Sequence, residues 1–299
     1  MPSVPPTFEQ FTPLKDDVLL ALSGAGGAKL LQGQTSADFT STSYPNAAEG
    51  VFCDTKGRVI TDFLALILSA EQILLRVNVS VAPILIAALQ KYLPFFKVSL
   101  TASNLSAWGG FCSASASNSQ ARHSEANAET PSTPHVIETD AGFALQRGPG
   151  HWEIFATHKE PSQNIVSAYS AWQCAAIARG EARIVAATSG LYLPQDLNYD
   201  LRGLVNFKKG CYTGQEIVAR LHWRGTPKRR LQLALLADTT SPEPATGIVD
   251  LATQQRVGSV VNSAPCSDGT LLAIEATDTA LASGCCLVDQ SSELRPYPA

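Results

Sequence analysis

Among the groups in this chain able to attack, ionise or ligate, the thiol of Cys211 has the most unusual neighbours. It lies in "FKKGCYTGQEIVAR", Phe207 to Arg220, behind Lys208 and Lys209 and followed at once by Tyr212. Thr213 to Glu216 has the S/T-x-x-E form of a capping box, with the apolar run Ile217-Val218-Ala219 behind it. The spacing predicts a helix capped by Thr213, with Glu216 reaching back. Cys211 then stands two residues before the cap, at the positive end of the helix dipole. Lys208, Lys209 and Arg220 add positive charge. Cations and helix N-termini favour thiolate over thiol, lowering the cysteine pKa below its usual ~8.5. Gly210 and Gly214 remove bulk on both sides, so a ligand or partner could approach the sulfur. Gln215, with Thr213 and Glu216, would fix the loop. The competing reading is a small buried cysteine in a tight turn.

The other reactive groups are scattered. Seven cysteines, an odd count, occur without any C-x-x-C, and the five histidines are dispersed. Neither a disulfide framework nor a complete local metal site is expected. Cys285-Cys286 reads as a buried, chemically quiet strand end. Asp54 reads as a turn residue and Asp62 as a strand-edge charge. The Gly-rich turn at residues 24–27 has neither G-x-G-x-x-G nor G-K-[ST], so it is not read as a phosphate loop.

Charge is unevenly spread. Residues 206–230 hold seven basic residues and one acid, a local +6 in a chain of net −4, leaving −10 for the remainder. A positive island on an acidic protein suits an anionic partner better than broad coating of nucleic acid. A solvated basic face is the plain alternative.

These groups need a scaffold, and the composition permits one. Hydrophobic residues make up 45% and charged residues 16% of 299, which is enough for a large core. No run approaches the ~20 apolar residues that cross a bilayer. The first residues have no basic and apolar signal-peptide pattern and no Arg-rich transit character. A cytoplasmic protein without a membrane partner is expected. "VLLALSGAGGAKLL" reads as strand, turn and helix; "VITDFLALIL" and "ILLRVN" read as strands flanking a short connection. "SVAPILIAALQKYL" reads as a helix with Ser80 as cap and Pro83 in its first turn. "FKVSL", "SAWGGF", "GFALQR" and "WEIFAT" read as strands. "SQNIVSAYSAWQCAAIARG" reads as an amphipathic helix ending near Gly180. Residues 113–135, rich in Ser, Ala, Asn, Thr and Pro, are expected to form a flexible insertion. After Pro227, "RRLQLALLA", "GIVDL", "RVGSVVNSA", "TLLAIEA" and "CCLVDQ" are short strands at close spacing, an all-β module expected to be a small barrel. The fold class is α+β, divided into residues 1–226 and 227–299.

"KKGCYTGQE" resembles the signature of the YgfZ family of folate-binding proteins, roughly K-G-C-[FY]-[TIV]-G-Q-E. "LQGQTSAD", "FCDTKGR", "KYLPFFKV" and "SGLYLPQDLN" agree with that family in the right order, so the resemblance covers nearly the whole chain outside the Ser/Ala-rich insertion. The family is similar in fold to the aminomethyltransferase (T-protein) of the glycine cleavage system. The resemblance implies two intertwined α+β modules around a tetrahydrofolate cavity, followed by a C-terminal β-barrel. It also implies an accessory role in iron–sulfur cluster assembly or repair, chiefly for [4Fe–4S] enzymes including tRNA-modifying ones. That role depends on folate and on the motif cysteine, here Cys211. Trp172 matches a tryptophan that the family uses near folate; as a residue of an amphipathic helix it also reads as core. A second family tryptophan is Val18 here. The acid that many relatives place ahead of the helix-end glycine is Arg179.

T-protein enzymes carry an aspartate in the helix after a "VNAS"-like strand end. The matching stretch, Val77-Asn78-Val79-Ser80 and onward to Ile86, has no carboxylate. This argues against glycine-cleavage aminomethyl transfer, which needs a positioned charge, and the chain is read as leaning away from an enzyme. A [4Fe–4S] cluster takes four cysteines; Cys211 alone has a suitable setting. The chain is therefore expected to hold no stable metal of its own, with Cys211 offering one ligand to a cluster shared with a carrier or client protein. The expected cofactor is tetrahydrofolate or a derivative, and Lys208, Lys209 and Arg220 would tune the thiolate or hold anionic groups such as the folate tail. A folate-dependent one-carbon transferase with another acceptor is the alternative. Direct tRNA binding through the basic stretch is the least favoured reading, because aromatic residues are 7% of the chain and the remainder is acidic.

Overall fold

The structure is a computed structural model that describes residues 8–41, 43–112, 136–139, 142–157 and 168–298. The expected insertion at 113–135 lies outside the described residues, as do residues 162–167 at the start of the helix expected before Gly180.

The elements in chain order begin with strands β1 (Gln10–Pro13) and β2 (Asp17–Ser23), helix α1 (Gly27–Gln34), β3 (Asn46–Cys53), β4 (Val59–Ser69) and β5 (Gln72–Asn78). Helices α2 (Ala82–Gln90) and α3 (Leu93–Phe96) follow, then β6 (Ser99–Ala102), β7 (Leu105–Phe111), β8 (Val136–Thr139), β9 (Gly142–Gly148) and β10 (His151–Thr157). Next come α4 (Tyr169–Ala178), a 3-10 turn at Pro194–Leu197, and α5 (Gln215–Arg224). The chain ends with β11 (Arg230–Leu236), β12 (Gly247–Asp250), β13 (Arg256–Cys266), β14 (Gly269–Ala276), α6 (Ala280–Ser283), β15 (Cys285–Leu287) and β16 (Arg295–Pro296). Among the described residues no helix is long and apolar enough to cross a membrane.

Two compact units divide the chain. The first comprises residues 1–50, 63–169 and 202–212; the second comprises 51–62, 170–201 and 213–299. Two sheets have most of their strands in the first unit, in the orders β3-β4-β5-β2-β6 and β1-β7-β10-β9-β8. The hairpin β4–β5 is antiparallel, and β2 lies antiparallel between β5 and β6. Leu64, Leu66, Leu75 and Leu22 are fully buried there, which explains the near-continuous apolar runs. Charge is buried there as well. The guanidinium Nε of Arg76 on β5 stands 2.7 Å from Oε1 of Glu153 on β10, and both side chains are almost wholly enclosed. Arg147 lies 3.7 Å from the other Glu153 oxygen and 2.6 Å from Glu49. Buried charges persist when paired in this way.

The second unit holds the six-stranded sheet β15-β12-β13-β14-β11-β16. β14 is buried along its whole length between β11 and β13. Cys285 and Cys286 are buried in β15, as the sequence suggested, and burial pushes the Cys285 thiol up to about 11.

Two expectations about local structure are corrected. Ser80 does not cap α2: the N-cap residue is Val81, and the Ser80 hydroxyl donates to Asn78 Oδ1 at 2.6 Å. Asp62 is not a strand-edge charge. It is buried, accepts the Ile184 N–H at 2.6 Å and faces Arg183 Nε at 2.7 Å. Asp54 is a turn residue as read, its Oδ1 accepting the N–H groups of Lys56 and Arg58, both at 2.8 Å.

Candidate functional site

The stretch around Cys211 is held by different means before and after the cysteine. Residues 204–212 are knitted to the end of α1. Ser36 Oγ donates to the Leu204 carbonyl at 2.6 Å, and Asn206 N–H donates to the Ser36 carbonyl at 3.0 Å. The Asn206 side chain then accepts the backbone N–H groups of Lys208 and Lys209, at 2.8 and 3.1 Å, which forces a tight turn. Lys209 folds back into that turn. Its Nζ donates to the carbonyls of Gln32 (2.8 Å), Thr35 (2.6 Å) and Ala37.

An ammonium has three donors, and all three are used. The acceptors lie at the C-terminal end of α1, where helix carbonyls lack intrahelical partners and carry negative partial charge. Burial lowers the Lys209 pKa from 10.5 to about 8, against the pull of nearby Asp38. The ammonium also stands 5.4 Å from the ring centroid of buried Tyr212. The expectation that Lys209 holds an anion of the folate tail is thereby corrected: its donors are saturated by the protein. Lys208 is exposed. "LQGQTSAD" and "VNFKKG" form one tethered structure.

Beyond Tyr212 the stretch packs on a different partner. Helix α5 starts at Gln215, its N-cap is Gly214 in the left-handed region (φ 82°), and no side-chain cap hydrogen bond is made. The capping box expected from Thr213 and Glu216 is therefore corrected, and Cys211 lies three residues before the cap instead of two. The reason is packing. A Cβ on Gly214 would run into the Asp54 carbonyl oxygen and come within 3.0 Å of Gly57 Cα and 3.1 Å of Cys53 Cβ. Gly57 is also left-handed (φ 74°), and a Cβ there would come within 3.0 Å of Ile217 Cβ and 3.3 Å of the Gly214 oxygen. Two glycines thus seat the "CDTKGR" turn on the first turn of α5.

Two further contacts complete this part. Gln195 Nε2 donates to the Val218 carbonyl at 2.8 Å, and Arg58 Nη1 donates to the Leu191 carbonyl at 2.6 Å. "FCDTKGR", "SGLYLPQDLN" and "TGQEIV" therefore meet in the second unit.

The two motif glycines have separate uses. A Cβ on Gly210 would meet nothing within 4 Å, consistent with an open approach to the sulfur. The missing side chain of Gly214 is used by the Asp54–Gly57 turn, which corrects the expectation that it clears space for a ligand.

Cys211 is exposed; Cys174 and Cys266 are partly buried, and Cys53, Cys112, Cys285 and Cys286 are buried. Burial drives the Cys53 thiol far above the usual range and raises those of Cys112 and Cys174. Among the described residues no three of His, Cys, Asp and Glu gather as metal ligands.

Trp172 is buried in α4. The Arg179 guanidinium stands 6.0 Å from its ring centroid and holds Glu181 Oε1 at 3.0 Å from Nε. Sequence reading noted Arg179 where an acid was expected and missed that Glu181, on the other side of Gly180, brings a carboxylate to the same guanidinium. The opposite charges flanking Gly180 were the available signal. Val18 lies in β2.

No protein-family model matches the chain. In fold it is similar to the glycine cleavage system aminomethyltransferase T from Bartonella henselae, with a TM-score of 0.68 and 12% identity over 98% of this chain and 86% of that one. The protein is thus one of T-protein-like fold. Its sequence is 31% identical over 277 residues to the tRNA-modifying protein YgfZ of Yersinia pseudotuberculosis serotype IB (strain PB1/+), covering 86% of this chain and 81% of the relative. The same protein of Yersinia enterocolitica serotype O:8 / biotype 1B (strain NCTC 13174 / 8081) is 31% identical over 274 residues, with the same coverage. The chain belongs to the YgfZ family.

Proposed function

We propose that this chain is a cytoplasmic, folate-binding accessory factor for iron–sulfur cluster assembly or repair. It would serve [4Fe–4S] enzymes, tRNA-modifying ones among them, through the thiolate of Cys211. Membership in a family whose relatives are named tRNA-modifying proteins supports the link to tRNA modification. The observation that carries the thiolate reading is exposure: Cys211 is the exposed one of the seven cysteines. It follows a turn fixed by the half-buried Lys209 ammonium, and an approachable sulfur on a fixed loop suits ligand exchange with a partner. The remaining ligands of a shared cluster would come from a carrier or client protein.

Folate would rest near Trp172, whose ring offers an aromatic wall. The Arg179–Glu181 pair beside it supplies a cation and a carboxylate of the kind that a pterin amide and amino group recognise. Lys208 and Arg220, both exposed, are the motif cations left to meet anionic groups.

The test is complementation in a bacterium deleted for its own YgfZ-type protein, with the activity of one [4Fe–4S] enzyme as readout. Wild type should restore it and Cys211→Ala should not. Equal restoration by both removes the thiolate, and restoration by neither removes the role.

A further inference from the structure

The basic stretch contains an observation that the cysteine does not absorb. Trp223 is 70% exposed near the end of α5, although tryptophan is on average highly buried. Arg220, Trp223 and Arg224 stand at i, i+3 and i+4 and so share one helix face. The His222 ring meets the Trp223 indole edge-on at 4.5 Å between centroids. Gly225, Thr226 and Lys228, which follow the helix in sequence, are exposed as well.

The two basic residues that follow Lys228 are engaged within the second unit: Arg229 with Glu275 at 3.5 Å, and Arg230 with Asp200 at 2.7 Å. Between Ile217 and Ala237 there is no acidic residue. The C-terminal end of a helix accounts for a cation at Arg224, but it does not account for an indole in water.

We propose that the exposed face formed by Trp223, Arg220, Arg224 and Lys228 binds single-stranded RNA, the indole stacking on an unpaired base while the cations meet the flanking phosphates. An acidic protein surface would satisfy the charges. A protein interface, however, needs contiguous apolar area at its centre. The apolar residues of α5 do not widen this face: Val218 is buried on the opposite side of the helix and Leu221 is partly buried at its flank, leaving the indole as the large apolar group in polar surroundings. One π-face between cations is what an unstacked base requires. Composition averaged over the chain argues the other way, but exposure concentrates the aromatic and the charge in one place. The proposal is independent of the thiolate reading and would survive failure of the complementation test.

The experiment is fluorescence anisotropy of the full chain with a labelled oligouridylate of about twelve nucleotides. Wild type should bind at about 50 mM salt, with log K falling against log salt at a slope of about −2 for three phosphate contacts. Trp223→Ala should weaken binding about 5- to 100-fold with an unchanged thermal midpoint, and Trp223→Phe should recover most of it. Arg224→Ala should flatten the slope by about 0.7. Absence of binding at low salt, or binding indifferent to Trp223→Ala, overturns the proposal. Competition by polyglutamate as effective as by unlabelled RNA also overturns it, in favour of an acidic protein partner.

Discussion

Gly210 and Gly214 flank the same cysteine in one short motif, yet the molecule uses them oppositely. Gly210 borders open space, whereas Gly214 is wedged against Asp54 and Gly57 in a left-handed conformation. The lysines before them divide in the same way: Lys208 is exposed, and Lys209 gives every ammonium donor to the end of α1. The motif therefore interleaves residues that hold the loop with residues left open to a partner. Residue type does not distinguish the two sets.

The sharpest way to break this division is to add one methyl group at each glycine. Gly214→Ala should destabilise by about 2–4 kcal/mol, from left-handed strain plus collision with backbone. Gly210→Ala should stay within about 0.5 kcal/mol of wild type. Urea midpoints that fall equally for the two variants would end the distinction.

The lysines give the next largest effect. Lys209→Met leaves three carbonyls without their donor and should cost about 2 kcal/mol. Lys208→Met should cost less than about 0.5 kcal/mol. Comparable losses in thermal midpoint would mean that the carbonyl socket does not hold the loop.

The smallest effect is a pH slope. Lys209 titrates near 8 when folded, against 10.5 ordinarily. Across that window the unfolded chain binds more protons than the folded one, so this residue makes stability rise with pH. Below about 8 both states carry the proton and the contribution is flat. The rise is reduced by solvent screening, since the residue is only partly buried. Urea midpoints from pH 7.5 to 10.5 should climb less in Lys209→Arg than in wild type, because a guanidinium keeps its proton throughout; parallel curves would place the Lys209 pKa at its ordinary value.

Much of the scaffold is legible in the sequence because periodicity and burial agree. The apolar runs of β4 and β5, the turn before α1, and the strands β11 to β15 all fall where pattern reading puts them. β3 is missed because "NAAEGVFC" mixes Gly and Glu into the strand and alternates poorly. The caps are misplaced at Ser80 and Thr213 for a shared reason: a longer-range or neighbouring contact overrides the local hydrogen bond. Asn78 engages Ser80, and the turn at Asp54 holds Gly214 in the cap position.

Within the site, Cys211 and its motif can be read directly. The socket for Lys209 cannot, since its acceptors are backbone carbonyls more than 170 residues earlier, and a carbonyl leaves no mark on residue type. Trp223 escapes for the opposite reason. Its identity is plain in the sequence, but only the fold reveals that the indole faces water.

The seating of Gly57 on α5 bears on how genetic screens of this family should be scored. In a saturation library, codons 57 and 214 should be depleted of every amino acid but glycine, while codon 210 tolerates small replacements. That depletion would measure folding yield and would carry no information about sulfur chemistry. A ranking of the motif by mutational intolerance alone would therefore place a packing glycine on a par with the cysteine. Normalising each variant to its soluble abundance separates the two.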